Sequence, residues 1–568
     1  MIRYGPVIRG QNLYRIDINL RRAIGRFAGG LEERFGTVLT GFGAWVGGPA
    51  DAEAEHTDRF APPRLEAYDG NGSLVNRIVH NPAWEKTSRE VYEHGIVGLN
   101  YGDDPAPFLI TFVMGYLLSQ TNVSLHCPVT MTGAVAYVLD RFGPEELRAR
   151  MVPDLTRTDG GALTGGTWVT ERHGGSDVGA TRTVACRDGD AFRLDGLKWF
   201  TSNANGGLAL ATARPVDAPE GTKGLGLYLV PTRLEDGRPN PMRIRRLKEK
   251  LGTVGVPTGE IDLQGTLAHE VAPPPDGFKL MMEALEFSRL HNSMASVGLQ
   301  RRAFLEAMAF ACGREAFGRV ITEYATVQDE ILRILIPLEA GLALALEAAN
   351  AFDDANALPI DDATRRPWMR LITALAKFQT AEDAVAATRR AIEIIGGNGY
   401  TYDFVTPRLL RDAQVTTVWE GPANVQALEV LRLLGNRYPG FAAFVTRIEG
   451  ITDAATPQLS DVGRTVGGAL DDCRDAVDYV SADGKEGERH ARRLMSLLAD
   501  TMSLALLLEE ASRDLAEGDA RKAVVARLYA TQRFDVRPRR GIGPGNDLGR
   551  RQFAPLVAYG QVSAADAM

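Results

Sequence analysis

Four cysteines in 568 residues, Cys127, Cys186, Cys312 and Cys473, stand far apart and form no Cys-x-x-Cys, so neither a zinc knuckle nor a disulfide frame is specified. Reduced, buried thiols are the expectation. The eight histidines form no ligand set, so no metal site is expected, and His126 and His173 read as hydrogen-bonded structural groups. Positive charge is not in excess either: 64 Lys+Arg against 72 Asp+Glu leave a formal charge of −8, which gives no global field for nucleic acid or anionic lipid. The most apolar run, residues 107–118, is too short to cross a bilayer, and the opening MIRYGPVIRG lacks a basic region leading into an apolar one. Internal repeats and low-complexity tracts are missing. A cytoplasmic protein with no membrane partner is expected. The composition that remains, 45% hydrophobic and 24% charged, is globular, and the length allows about three or four domains.

Residues 1–160 carry a mainly helical pattern, with apolar residues returning at three- and four-residue steps over 16–27 and 84–96, and a core helix over 108–118. From 161 to 275 the texture changes to short alternating runs, 183–185, 191–194 and 224–231, which read as strands; Asp188-Gly189 is a hairpin signal and 218–221 a solvent loop. After Pro273-Pro274-Pro275 the helical period returns over 278–433, with stretches 290–312, 329–352 and 367–395 suited to an antiparallel bundle. Residues 440–568 are again mostly helical, 494–515 being the clearest amphipath. Four domains are expected: a helical one over 1–160, a β domain over 161–275, a four-helix bundle over 276–438 and an additional helical domain over 439–568. The fold class is mainly α with a central antiparallel β domain, unlike the alternating βαβ of a dinucleotide-binding sheet. Gly396-Gly397-Asn398-Gly399 follows a helical pattern and not a strand, so it is not the Rossmann fingerprint.

Three segments could carry chemistry. In 168–178 (Trp168, Val169, Thr170, Glu171, Arg172, His173, Gly174, Gly175, Ser176, Asp177, Val178) the glycines permit close backbone approach, and N–H groups beside Thr170 and Ser176 could cradle a ring edge or a phosphate. Taken alone, this is ordinary turn chemistry. Lys198-Trp199-Phe200-Thr201-Ser202 ends an alternating run and offers a flat apolar wall beside two hydroxyls, as a planar heteroaromatic cofactor requires; a buried strand Trp is more often plain core. In Thr417-Val418-Trp419-Glu420-Gly421-Pro422-Ala423-Asn424, Pro422 suits a first helical turn. Glu420 is then either a dipole-favoured residue at a helix start or an acid/base group beside Trp419.

Order and spacing of these segments resemble the flavin-dependent acyl-CoA dehydrogenase family over about 80–435. The resemblance implies a helical bundle, β-barrel, helical bundle architecture, here with a C-terminal helical extension, and FAD as cofactor. Trp168, Val169, Thr170, Gly175 and Ser176 are similar to its flavin-binding segment. Trp199, Phe200 and Thr201 are similar to its Trp-Ile-Thr segment, whose Thr approaches flavin N5. Arg314 and Phe317 fall in an Arg-x-x-Phe-Gly segment that reaches the FAD of a neighbouring subunit, which implies a homotetramer. Glu393, Gly396 and Gly397 are similar to Gln-x-x-Gly-Gly-x-Gly, with Arg411-Asp412-Ala413 following at the family interval. Glu420 falls at the catalytic base, with Trp419, Gly421 and Asn424 beside the cofactor. The base found in some members on the helix of Phe287-Ser288-Arg289 is here Ser288, which cannot take a carbon-bound proton. Glu283 and Glu286 read as a solvated or paired helix face. The AidB branch is the nearest likeness, through Asn12-Leu13-Tyr14, residues 62–69, residues 80–84, residues 127–132 and the carboxy-terminal extension. Three positions depart from the family: Ala325 and Pro422 remove polar groups that grip the dinucleotide, and Glu393 replaces a Gln.

The resemblance implies α,β-dehydrogenation of an acyl thioester, carried on coenzyme A or on a carrier protein, with Glu420 taking the α-proton. The electron acceptor is not specified. Two alternatives stay open: an AidB-like, DNA-associated protective flavoprotein with little turnover, and a flavin monooxygenase on the same scaffold. Against DNA, residues 450–568 hold 16 Lys+Arg and 18 Asp+Glu, with only Arg533, Arg537, Arg539, Arg540, Arg550 and Arg551 forming a basic cluster.

Overall fold

The computed structural model describes residues 8–27, 30–360, 362, 366–434, 439–482, 484–534 and 548–567. They fall into two compact units, one built from Met1–Gly48, Phe108–Gln120 and Asn292–Met568, the other from Pro49–Pro107 and Thr121–His291.

The second unit holds the β domain. Its strands are β1 (Arg64–Tyr68), β2 (Leu74–Val79), β3 (Gly165–Trp168), β4 (Val184–Asp188), β5 (Ala191–Ser202), β6 (Leu208–Pro215), β7 (Gly226–Pro231), β8 (Met242–Leu247) and β9 (Thr258–Ala272). Pairings run β6, β4, β5, β9, β7 and back to β6, closing a ring that leaves no free edge on those five strands; β3 lies beside β6 and β8 beside β9. Most pairs are antiparallel, as expected, but β3 and β4 both run parallel to β6. Alternation sets the inward face of β5, where Phe192 and Leu194 are buried between outward Arg193 and Asp195. The uncharged stretch Leu208 to Ala213 of β6 is buried throughout. Trp168, Phe192, Leu194, Ala211, Tyr228, Ile261 and Leu263 form the core. The β4–β5 turn uses Gly189 and Asp190, one residue beyond the Asp-Gly signal, because Gly189 (φ 62°) takes the left-handed first position.

Helices of the same unit accompany these strands. Pro82–Glu93 starts at Asn81, whose side chain accepts from Trp84 N–H, and Val123–Phe142 starts at Asn122, which accepts from Leu125 N–H. The β1–β2 hairpin was not foreseen in the N-terminal region. Its faces are only part-buried, with Leu65 and Ile78 packed on the β core, so it offers little periodic signal.

The first unit is helical: Ile18–Ile24, Leu31–Trp45, Phe108–Ser119, Ala325–Ala357, Pro367–Ile395, Thr406–Thr416, Ala423–Leu434, Gly440–Ala454, Ser460–Ala482, Gly484–Ala516 and Arg521–Phe534. Long helix Asp276–Gly313 enters it from Asn292 onward. A buried ionic knot ties distant segments together. Arg521 and Lys522 both bond the Glu339 carboxylate, Lys522 Nζ at 2.7 Å. Burial alone would raise the Glu339 pKa, but the two cations outweigh it and hold it at about 2.

The expectation of buried thiols holds for Cys473 alone. Cys127 is part-buried, Cys186 lies on the outward face of β4 and Cys312 is exposed at the last turn of its helix; all four are free. Among the described residues no helix is long and apolar enough to cross a membrane.

Candidate active site

In the β unit, the loop after β3 is fastened to the end of β5. Trp199 N–H donates to Thr170 O at 2.9 Å, and Glu171 bridges to Lys198. Lys198, fully buried, donates to Glu171 Oε1 at 3.0 Å and to Thr212 O at 2.8 Å. Glu171 also accepts from the N–H groups of Arg182 (2.8 Å) and Thr183 (3.1 Å) and from the Thr183 hydroxyl (2.5 Å). Burial pushes Glu171 up, but Lys198 and these donors hold it below the usual carboxylate range. Burial draws Lys198 down, and Glu171 only partly restores it.

An irregularity in the β5–β9 register between Lys198 and Thr201 aims neighbouring side chains apart. Lys198 and Thr201 point inward, while Phe200 is 54% exposed and Trp199 part-buried. The Thr201 hydroxyl donates to Gly259 O at 2.8 Å, leaving it only an acceptor's role toward any ligand. Lys248 Nζ stands 3.5 Å from the Trp199 ring centroid and is bonded to Glu260 at 2.6 Å. The Trp168 indole is packed in the β core, its N–H buried without a partner, so main chain is what this residue can present. Val169 and Thr170 are part-buried, Gly175 packs its backbone near the Thr170 side chain, and Ser176 is exposed.

In the helical unit, Glu420 sits in a turn between Thr406–Thr416 and Ala423–Leu434. Glu420 (φ 57°) and Gly421 (φ 97°) are both left-handed, a conformation a non-glycine residue holds only when its surroundings enforce it. Gln426 Nε2 donates to Glu420 O at 3.0 Å and Gly421 O at 3.3 Å; Lys377 Nζ donates to Gly421 O at 2.8 Å. Asn292 donates to Thr416 O and accepts the Trp419 indole N–H. Oε2 of Glu420 is shielded from solvent. Pro422 precedes the next helix, its carbonyl accepting the first bonds from Val425 and Gln426, and Asn424 is exposed.

The same unit carries the remaining site residues. Arg314 is exposed beside a hairpin of β10 (Glu315–Ala316) and β11 (Arg319–Val320), whose turn residues Phe317 (φ 51°) and Gly318 (φ 83°) are left-handed. Phe317 is 98% exposed. Glu393 is paired with Arg389 at 2.8 Å, so its charge is answered within its own helix. An added Cβ at Gly396 or Gly397 would meet nothing within 4 Å, so backbone there faces open space. Glu283 and Glu286 are buried rather than solvated; Glu286 pairs with Arg289, and Tyr137 OH donates to Glu283 at 3.4 Å.

Sequence reasoning did not assign roles to Lys198, Lys248, Asn292, Lys377 and Gln426. The available signal was a charge inside an apolar run, as at Lys377 between Leu375-Ala376 and Phe378, where a solvated lysine is out of place.

Residues 5–159 match the adaptive response protein AidB N-terminal domain, residues 166–266 the acyl-CoA dehydrogenase middle domain and residues 275–435 the acyl-CoA dehydrogenase C-terminal domain. The chain is 33% identical over 532 residues to acyl-CoA dehydrogenase family member 11 of Caenorhabditis elegans, covering 89% of this chain and 85% of that one. It is 29% identical to AidB of Escherichia coli (strain K12), covering 76% and 79%. The crystal structure of Caenorhabditis elegans ACDH-11 in complex with C11-CoA superposes with a TM-score of 0.86 at 31% identity, covering 94% of this chain and 93% of that one. With a relative of that identity spanning most of both chains, this protein belongs to the acyl-CoA dehydrogenase family of FAD-dependent oxidoreductases and carries the AidB-type amino-terminal domain.

Proposed function

We propose that this chain binds FAD and dehydrogenates an acyl thioester between Cα and Cβ, with Glu420 as the base. The observation that carries the reading is a carboxylate on a strained, over-held turn, with one oxygen shielded from water. Such strain is kept where a side chain's aim matters.

The residues present fit the cofactor. Gly396 and Gly397 leave open backbone for a dinucleotide, and Glu393, neutralised by Arg389, does not set a bare charge beside a pyrophosphate. The Val169-Thr170 main chain and the Trp199 ring would hold the flavin, with Thr201 as acceptor. When bound, FAD supplies the hydride acceptor for the β-carbon. Glu420 takes the α-proton on its carboxylate, and its shielding keeps water from competing for that oxygen. An α-proton of a thioester is weakly acidic, so its carbonyl needs preorganised donors; the Glu420 main-chain N–H is assigned to it.

Acyl-CoA as substrate is supported by the C11-CoA complex of ACDH-11; a carrier-protein thioester is the other form of the same chemistry. The exposed ring of Phe317, with Tyr400 82% exposed, supports assembly with further copies of the chain, as a homotetramer in which Arg314 reaches a neighbour's cofactor. The carboxylate at position 420 favours this reading over oxygenation. Arg533, already paired with Asp383 at 2.7 Å, is not free for DNA phosphate, while Arg537, Arg539 and Arg540 lie outside the described residues.

Glu420→Gln tests it. With C11-CoA, flavin bleaching is expected to slow by about 10²–10⁴-fold with flavin content unchanged. Bleaching at the wild-type rate removes Glu420 as the base.

A further inference from the structure

Two successive left-handed residues turn the carbonyls of Glu420 and Gly421 out of any helical ladder, so donors must come from side chains. The donors are unusual. Gln426, fully buried in the next helix, serves both carbonyls through one amide nitrogen. Lys377, 1% exposed and midway along Pro367–Ile395, brings an ammonium to Gly421 O at 2.8 Å. Asn292, on a third helix, holds Thr416 and Trp419 just before the turn.

A neutral donor could reach the Gly421 carbonyl without the cost of burying a charge. A charged donor makes a shorter, stiffer bond, and its stem is held within a 29-residue helix. A turn fastened to three helices fixes its Cα against small displacements, which is what a proton transfer between close atoms requires. We infer that Lys377, aided by Gln426, is the positioning residue of Glu420: it sets the aim of the carboxylate through the Gly421 carbonyl without touching the substrate. This inference rests on the dehydrogenase reading for its kinetic consequence, though not for its structural one.

The experiment uses the flavin-loaded full chain, C11-CoA as probe, and the variants Lys377→Met, Lys377→Arg and Gln426→Leu. In stopped flow, Lys377→Met is expected to lower the limiting bleaching rate about 100-fold, the penalty of a displacement near 1 Å, with half-saturation held within about threefold. Lys377→Arg should recover at least about tenfold of that loss, since guanidinium can reach the same carbonyl. Hydrogen exchange read by mass spectrometry should show amides of 416–426 exchanging about tenfold faster in Lys377→Met, with the rest of the chain unchanged. Gln426→Leu, which removes two neutral bonds and strands no charge, should show the same pattern more weakly.

Unchanged protection of 416–426 in both variants overturns the inference. So does a limiting rate within threefold of wild type, or a loss spread over rate, half-saturation and whole-chain protection that arginine does not rescue. If wild-type flavin is not bleached by C11-CoA or other acyl thioesters, the dehydrogenase reading falls, and the exchange arm alone decides whether Lys377 holds the turn.

Discussion

A charge removed from water must be answered by its neighbours, and Lys198 is answered only in part. It lies beneath Trp199 with no exposure and donates to Glu171 and Thr212 O. Removing one partner leaves the other charged and dry, so Lys198→Met is expected to cost about 3–5 kcal/mol in urea unfolding, with flavin lost during purification as Thr170 and Trp199 separate. A cost under about 1 kcal/mol would show Glu171 finding water instead. The folded Glu171 pKa lies below its unfolded value, so its contribution is present above about 4.3 and is lost as pH falls through the lower folded pKa. Glu420 and Trp199 could be singled out as candidates because their motifs are local in the chain. Lys198 was visible as a letter but not as a role, because its partners Glu171 and Thr212 come from the loop after β3 and from β6. Glu393 shows the converse: its Arg389 partner lies four residues back, and a sequence alone leaves open which way such a side chain turns.

At the scale of elements, helix Phe108–Ser119 is capped at its start from far along the chain. Asp353, in Ala325–Ala357, accepts from Phe108 N–H and Leu109 N–H, each at 2.9 Å. Burial raises the Asp353 pKa to about 7 against the pull of those two donors. The folded pKa therefore exceeds the unfolded one, and the native state holds more protons between about 4 and 7. Stability from this group is highest at the acid end and declines as pH rises through that window, by on the order of 2 kcal/mol once partial solvent screening is allowed for. Asp353→Asn keeps an acceptor at the cap and removes the titration, so the pH profile of the urea midpoint should flatten over that range. An unaltered slope would place the titration elsewhere. Elements with one strong period were readable in advance: Pro367–Ile395 follows the 367–395 pattern, opened by Pro367 and closed at Gly396. Ile18–Ile24 is shorter than 16–27 because Asp17 caps it, its side chain accepting from Leu20 N–H. The β1–β2 hairpin was not readable, since its packing residues Leu65 and Ile78 are too few to set a period.

Across the whole molecule, the carboxy-terminal segment is bound to the rest of the helical unit by ion pairs, the deepest of them buried. Glu339 is fully buried and depends on Arg521 and Lys522. Arg447 joins Glu347 and Glu509 at 2.8 Å each, Arg26 joins Glu510 at 3.0 Å, and Arg22 joins Asp519 at 2.8 Å. Residues from both ends of the chain thus neutralise helix Ala325–Ala357 and one another. A chain ending at 438 would strand Glu339 and uncover the face of helix Ala325–Ala357 against which the carboxy-terminal helices pack. Its expected fate is aggregation, with no cooperative melting transition and no retained flavin, because an unpaired buried carboxylate and a bare apolar helix face both oppose folding. The milder Arg521→Met should stay soluble yet lose about 3–5 kcal/mol, since Glu339 keeps Lys522 but loses a fork of two bonds. If the truncated chain instead purifies as a folded yellow protein, the extension is a domain that stands by itself and its ion pairs are incidental to the unit that carries Glu420.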